Sequence, residues 1–172
     1  MATRKAMVAG NWKMNGSLEL VEQLSDAIND VKSSEVSIVL FPPFPLISAM
    51  VASGVTTGTQ TVSENTPGAF TGEVDAQLIK QLGATYVLVG HSERRSIYKE
   101  SNDTVAAKFA RAQQVGLPPT MKDEADQFVV SPTNWAGIID QALAPPRTRK
   151  SYQKSMVSKL SLPPRYLGMR PL

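Results

Sequence analysis

The sequence predicts an α/β fold: about four parallel β/α units followed by an irregular C-terminal tail. Three observations carry this. Short apolar runs alternate four times with stretches whose apolar residues recur at spacings of three and four. The runs have few polar interruptions, as strands covered on both faces should. Glycines stand where the helical stretches stop, at Gly54, Gly83 and Gly116.

The elements follow in order. Ala6-Met7-Val8-Ala9-Gly10 reads as a short buried strand, and Asn11 to Gly16 as a polar loop. Leu18, Val21, Leu24, Ile28 and Val31 form one face of an amphipathic helix, with Ser17 as its N-cap. Val36 to Phe41 is the second strand, ended by Pro42-Pro43. Leu46 to Ala52 is a short helix. Val55 to Thr61 is a weaker third strand, and a long loop rich in Gly, Pro and Asn runs from Val62 to Gly72. Val74 to Leu82 is a helix, Tyr86 to Gly90 the fourth strand, and Asn102 to Val115 a helix with Val105, Phe109 and Ala112 on one face. Phe128-Val129-Val130 is a candidate fifth strand, and Trp135 to Leu143 a helical turn.

Composition divides the chain near Pro118-Pro119. Residues 1–119 hold ten basic and eleven acidic side chains, whereas residues 120–172 hold eight basic and four acidic. The net charge of +3 therefore comes from the last third, and from Ala144 onward there are seven basic residues, five prolines and no acid. The expected organisation is a β/α domain over residues 1–119 and a basic, Pro-rich tail over 120–172. The chain of 172 residues is short for a closed eight-stranded β/α barrel, which takes roughly 250.

The absence of cysteine excludes disulfides, thiolate catalysis and sulfur-ligated metal sites, and a single histidine argues against zinc. No apolar run approaches the roughly 20 residues of a membrane span, and the N-terminus lacks a signal-peptide core. The expected compartment is the cytoplasm. The basic tail would contact nucleic acid electrostatically, but it offers only Tyr152 and Tyr166 for stacking and no recognised motif, so nucleic acid is not the expected partner.

In parallel β/α folds the acting groups lie at the C-terminal ends of strands. Two such ends stand out: Gly10-Asn11-Trp12-Lys13-Met14-Asn15-Gly16 and Gly90-His91-Ser92-Glu93-Arg94-Arg95. The first supplies an amide and an ammonium, the second the only imidazole. Together with Gly68-Ala69-Phe70-Thr71-Gly72-Glu73 they resemble the three N-terminal signatures of triosephosphate isomerases, in order and at about the family spacing. Gly58-Thr59-Gln60-Thr61 is similar to the family's third-strand end, with Thr61 where Asn is usual. The resemblance covers about residues 4–119.

It implies an incomplete β/α barrel and the interconversion of glyceraldehyde 3-phosphate and dihydroxyacetone phosphate in glycolysis and gluconeogenesis, without cofactor or metal. That proton transfer needs a base, a carbonyl polariser and positive charge for phosphate and oxyanion. As established for that family, the base is a Glu and the polariser a neutral His. By resemblance His91 is the electrophile, Lys13 the cation and Asn11 a substrate contact. The expected helical turn at Ser92 to Arg95 would turn backbone N–H groups toward the imidazole and disfavour a second proton. Glu93 is expected to orient Lys13, with Ser92 beside it, and Thr71 to enter a partner subunit of a homodimer. For Arg95 a surface ion pair is expected rather than a substrate role.

The family's base lies on a Tyr-Glu-Pro segment that this sequence lacks, as it lacks the Gly-rich phosphate turns of the second half. No base is nominated. The sequence-level expectation is a truncated homologue with little or no activity; the alternative is a non-catalytic protein that pairs with itself or with a full-length subunit. Codon degeneracy lets Val129 to Asn134, shifted by two bases, read Val-Ala-Tyr-Glu, and Gln141 to Leu143 onward read Gly-Thr-Gly. A reading-frame or splicing difference is the expected origin of the tail, which sequencing the transcript tests.

Overall fold

Strand β1 (Ala6–Asn11) pairs in parallel with β2 (Val36–Phe41), Ala6 opposite Val36 and Asn11 opposite Phe41. The computed structural model describes residues 6–30 and 36–121. Strand β4 (Tyr86–Val89) lies between β3 (Gly58–Thr59) and β5 (Pro119–Met121), all parallel. A single parallel bridge, Leu40 to Thr57, links the β2 and β3 ladders. Among the described residues β1 and β5 are each paired on one side only, so the sheet does not close.

Among the described residues five α-helices follow the strands: α1 (Leu18–Asp30), α2 (Ile47–Ala52), α3 (Ala76–Gln81), α4 (Ser92–Ser96) and α5 (Asn102–Gln114). Their starts obey capping chemistry. The hydroxyl oxygens of Ser17 and Ser101 accept from the N–H groups of Leu20 and Thr104, and Asp75 accepts from Leu78. Strand β4 is buried on both faces, as its apolar run requires. Leu88 packs with Ala9, Val39 and Phe41, while Val87 and Val89 meet Ile47, Ile79 and Ala112 behind the sheet.

Four features differ from the sequence expectation. The third strand contracts to Gly58–Thr59, where glycine is needed for space: a Cβ at Gly58 would overlap the Phe41 ring. On α1, Val21, Leu24 and Ile28 are buried, but Leu18 at the first turn is 62% exposed. Ser25 joins the buried face instead, donating to Val21 O at 2.6 Å. A fifth strand begins at Pro119, inside the composition break, because its missing N–H still leaves carbonyls for the ladder to β4. Val31 and the candidate elements at Phe128–Val130 and Trp135–Leu143 lie outside the described residues.

Candidate active site at the C-terminal ends of strands one and four

Asn11 is the last residue of β1 and is buried. Its Oδ1 accepts the Lys13 backbone N–H at 2.9 Å, bending the chain off the strand. Lys13 then adopts φ 54°, a left-handed conformation that a residue with a Cβ occupies only under compulsion. Gln60 supplies part of that compulsion from beyond β3. Its Nε2 donates to Lys13 O at 2.8 Å and to Phe41 O at 2.9 Å, tying the first loop to the end of β2. The bend sends the Lys13 ammonium to Glu93 Oε1, 2.5 Å away and 80 residues on in sequence.

Glu93 lies on α4, one residue into a five-residue helix capped by His91. Gly90 makes the entry possible. It sits at φ 68° with Val105 Cγ1 at 3.0 Å from where a Cβ would stand, so only glycine turns the chain there without strain. The imidazole Nδ1 accepts the Glu93 backbone N–H at 3.2 Å. An accepting Nδ1 leaves Nε2 as the N–H donor of the neutral ring. The second oxygen of Glu93 lies 3.6 Å from Nδ1, beyond hydrogen-bond range of a nitrogen that is already accepting. One carboxylate thus lies against both the ammonium and the imidazole. The His91 side chain is 11% exposed, whereas Lys13 and Glu93 are 47% and 41% exposed, so the cation reaches solvent and the ring mostly does not.

The structure therefore brings together four of the residues singled out from sequence: Asn11, Lys13, His91 and Glu93. Ser92 opens α4 with an exposed side chain. Thr71 is exposed on the long loop between β3 and α3, in the turn where Glu73 N–H donates to Phe70 O. Among the described residues Arg95 is held by hydrogen bonds: its Nε donates to Gly90 O at 3.2 Å and its Nη1 to Asn102 Oδ1 at 2.8 Å, bracing the turn that carries His91. Arg94 turns the other way, to Glu100. Sequence reasoning quoted Gln60 within the Gly58-Thr59-Gln60-Thr61 resemblance but gave it no role; its bonds to Lys13 and Phe41 depend on tertiary contact. Among the described residues no group of three His, Cys, Asp or Glu side chains is placed to hold a metal ion, and no helix is long and apolar enough to cross a membrane.

Parallel strands whose first and fourth C-terminal ends bring an amide, an ammonium and an imidazole to one place define a β/α-barrel type of protein with an incomplete sheet. The family model described as triosephosphate isomerase matches residues 6–121. The chain is 87% identical over 121 residues to the triosephosphate isomerase of Pseudoalteromonas translucida, covering 70% of this chain and 49% of that one. It is 44% identical over 121 residues to that of Alcanivorax borkumensis, covering 69% and 49%. With that of Colwellia psychrerythraea it shares 43% identity over 128 residues, covering 69% and 50%. The chain belongs to the triosephosphate isomerase family. It spans about half the length of the curated relatives it matches. A second model, described as the central region of the Vibrionales replication initiator protein RctB, matches residues 110–167, most of them outside the described part.

Proposed function

We propose that this chain carries the electrophilic half of a triose phosphate isomerase site and that its described residues do not complete the reaction. His91 Nε2–H would donate to the substrate carbonyl and to the enediolate oxygen that develops from it. The Lys13 ammonium would balance the phosphate and that oxyanion, and the Asn11 amide would meet the substrate beside it. Glu93 is a positioning group, occupied by Lys13 and by the His91 ring edge, and is not the base. A positioned base contributes about 10² to 10⁴ in rate, so the chain alone is expected to be weakly active or inactive. The reading places it in the cytoplasm with the glycolytic and gluconeogenic triose phosphates, working without a cofactor.

The observation that carries this reading is Nδ1 of His91 accepting the Glu93 backbone N–H while the Lys13 ammonium stands on the carboxylate of that same Glu93. The test is a ¹⁵N-detected titration of the purified chain with dihydroxyacetone phosphate. Shifts at the His91 ring and at Lys13, lost in Lys13→Met, support it. An unaffected imidazole, or a ring protonated on Nδ1 in the neutral form, overturns it.

A second reading is favoured by the exposed apolar side chains at the same end of the sheet: Met14 at 95%, Ile97 at 66%, Tyr98 at 65% and Phe70 at 47%. These fit a chain that pairs with a second copy, as a homodimer, or with a full-length subunit, Thr71 entering the partner. Light scattering of the chain alone and mixed with a full-length relative separates the two. A monomer in both removes this reading.

A further inference from the structure

Helix α4 carries Glu93 and is capped by His91, yet it buries none of its five residues. A helix of that length does not stand on its own, so polar ties must hold it. Glu93 pairs with Lys13 and Arg94 with Glu100. Arg95 turns back onto the strand end. Its backbone N–H donates to His91 O at 3.1 Å and its Nε to Gly90 O at 3.2 Å. The carbonyls on either side of the His91 Cα are thus both held by one residue. The far end of the guanidinium, Nη1, donates to Asn102 Oδ1 at 2.8 Å, on the first residue of α5. That helix is anchored in the core through Val105 and Ala112. Gly90 leaves room for the fork: Nε and Nη2 of Arg95 each lie 3.3 Å from where a Cβ would stand. A lysine would bring a point charge in place of the planar fork.

What this bracing fixes is the place of a proton. Nδ1 of His91 lies between two groups of the same residue. It accepts the Glu93 backbone N–H at 3.2 Å, the long end of the hydrogen-bond range, while the carboxylate Oε2 stands 3.6 Å away. With Nδ1 accepting, the neutral ring bears its proton on Nε2. A small rotation of the turn would exchange the partners. Nδ1 would then carry the proton and donate to Oε2, and Nε2 would have none to give, with no net change of charge. We propose that Arg95 is a positioning residue that selects the Nε2–H tautomer of His91 by holding the peptide groups on both sides of it. The proposal rests on the isomerase reading of the site for its purpose, since only Nε2–H can donate to a substrate carbonyl there. The tautomer itself is a property of the chain without substrate.

His91 is the only histidine in the sequence, so its ring signals stand alone in a ¹H–¹⁵N spectrum of the full chain. The spectrum is recorded with the ring neutral and no substrate present. Arg95→Met keeps the apolar stem and removes the fork. The Nδ1–H tautomer should then rise about two- to tenfold against wild type, the worth of one hydrogen bond. Asn102→Ala releases only the far end of the fork and leaves the Ser101 cap of α5 in place, so it should move the ring the same way by less. Amide exchange at Val87 and Val89 should stay at wild-type rates in both variants. A wild-type tautomer ratio in Arg95→Met overturns the proposal, as does a changed ratio accompanied by equal loss of protection in β4. Should Arg95→Met not fold, a wild-type ratio in Asn102→Ala overturns it. Adding dihydroxyacetone phosphate separates the two claims. A ring that ignores it, while its tautomer still answers to Arg95, removes the isomerase reading and supports this one.

Discussion

Replacing Gln60 by alanine tests how the candidate site is built. The side chain makes two hydrogen bonds, to Lys13 O and Phe41 O. A typical bond contributes about 0.5–1.5 kcal/mol net, and the one to Lys13 lies at the solvent edge, so the pair is worth about 1–2 kcal/mol. Against it stands the left-handed backbone of Lys13 at φ 54°, which costs a residue with a Cβ roughly 1–2 kcal/mol. The two are of one size, so losing Gln60 leaves the strain to Asn11, the Trp12–Asn15 turn and the Glu93 contact. The bend should relax and the Lys13 ammonium should lose its fixed place on Glu93. Because the relaxed bend returns about as much strain as the lost bonds contributed, urea unfolding followed by tryptophan fluorescence should show a midpoint lower by at most about 0.5 M, with a slope of about 2 kcal/mol per M. A cycle with Lys13→Gly isolates the cause. Glycine relieves strain while Gln60 is present and has none to relieve once the bend has relaxed. A coupling of about 1 kcal/mol is expected; additivity within about 0.3–0.5 kcal/mol refutes the reasoning.

Three further outcomes follow from the geometry. Gly58→Ala drives a methyl group into the Phe41 ring and should cost about 1–3 kcal/mol in denaturant unfolding, whereas Gly54→Ala, with nothing within 4 Å, should cost only its backbone strain at φ 79°. Ser101→Ala removes the cap from α5 and should cost about 1 kcal/mol by the same assay, with exchange quickened first at Thr104. Acid should destabilise the fold through Glu100 and Asp75. Burial pushes both carboxyls up, but for Glu100 hydrogen bonds from Lys108 and Arg94 and their charges outweigh it, and for Asp75 the Arg111 and Leu78 hydrogen bonds and the Arg111 charge do so. Both therefore sit below their ordinary values of 4.5 and 3.8, and the unfolded chain takes up protons first as pH falls. The stability they contribute is complete above those values and is lost as pH drops through the folded ones. Glu100→Gln should flatten part of the decline below about pH 4.5; an unchanged slope counts against the assignment.

Much of this was legible in the sequence because it followed from periodicity. The apolar runs of β2 and β4, the Val21–Leu24–Ile28 stripe and the Ser17 cap need no tertiary information. The two polar segments that carry Asn11, Lys13, His91 and Glu93 were legible because each followed a buried strand, while their grouping came from the family resemblance. The rest depended on contacts remote in sequence. Val55 to Thr61 looks like a strand, yet pairing is restricted to Gly58–Thr59 and the bridge at Thr57. The left-handed Lys13 is set by Gln60, 47 residues later. Lys108 did carry a signal, a cation between Val105 and Ala112 on the buried stripe, but its partners lie on two other segments, Thr61 and Glu64 on one and Glu100 on the other. Arg94 and Arg95 read as one charged run and serve two separate structures, Glu100 on one side and Gly90 with Asn102 on the other.

The central claim is that the electrophile and the cation are in place while the described residues bring no base to them. A coupled assay with glyceraldehyde 3-phosphate, run on the purified chain beside the full-length Pseudoalteromonas translucida relative, tests this most directly. The predicted result is turnover lower by at least about 10²–10⁴, with any residue of activity abolished in His91→Gln. Turnover equal to that of the relative would contradict it.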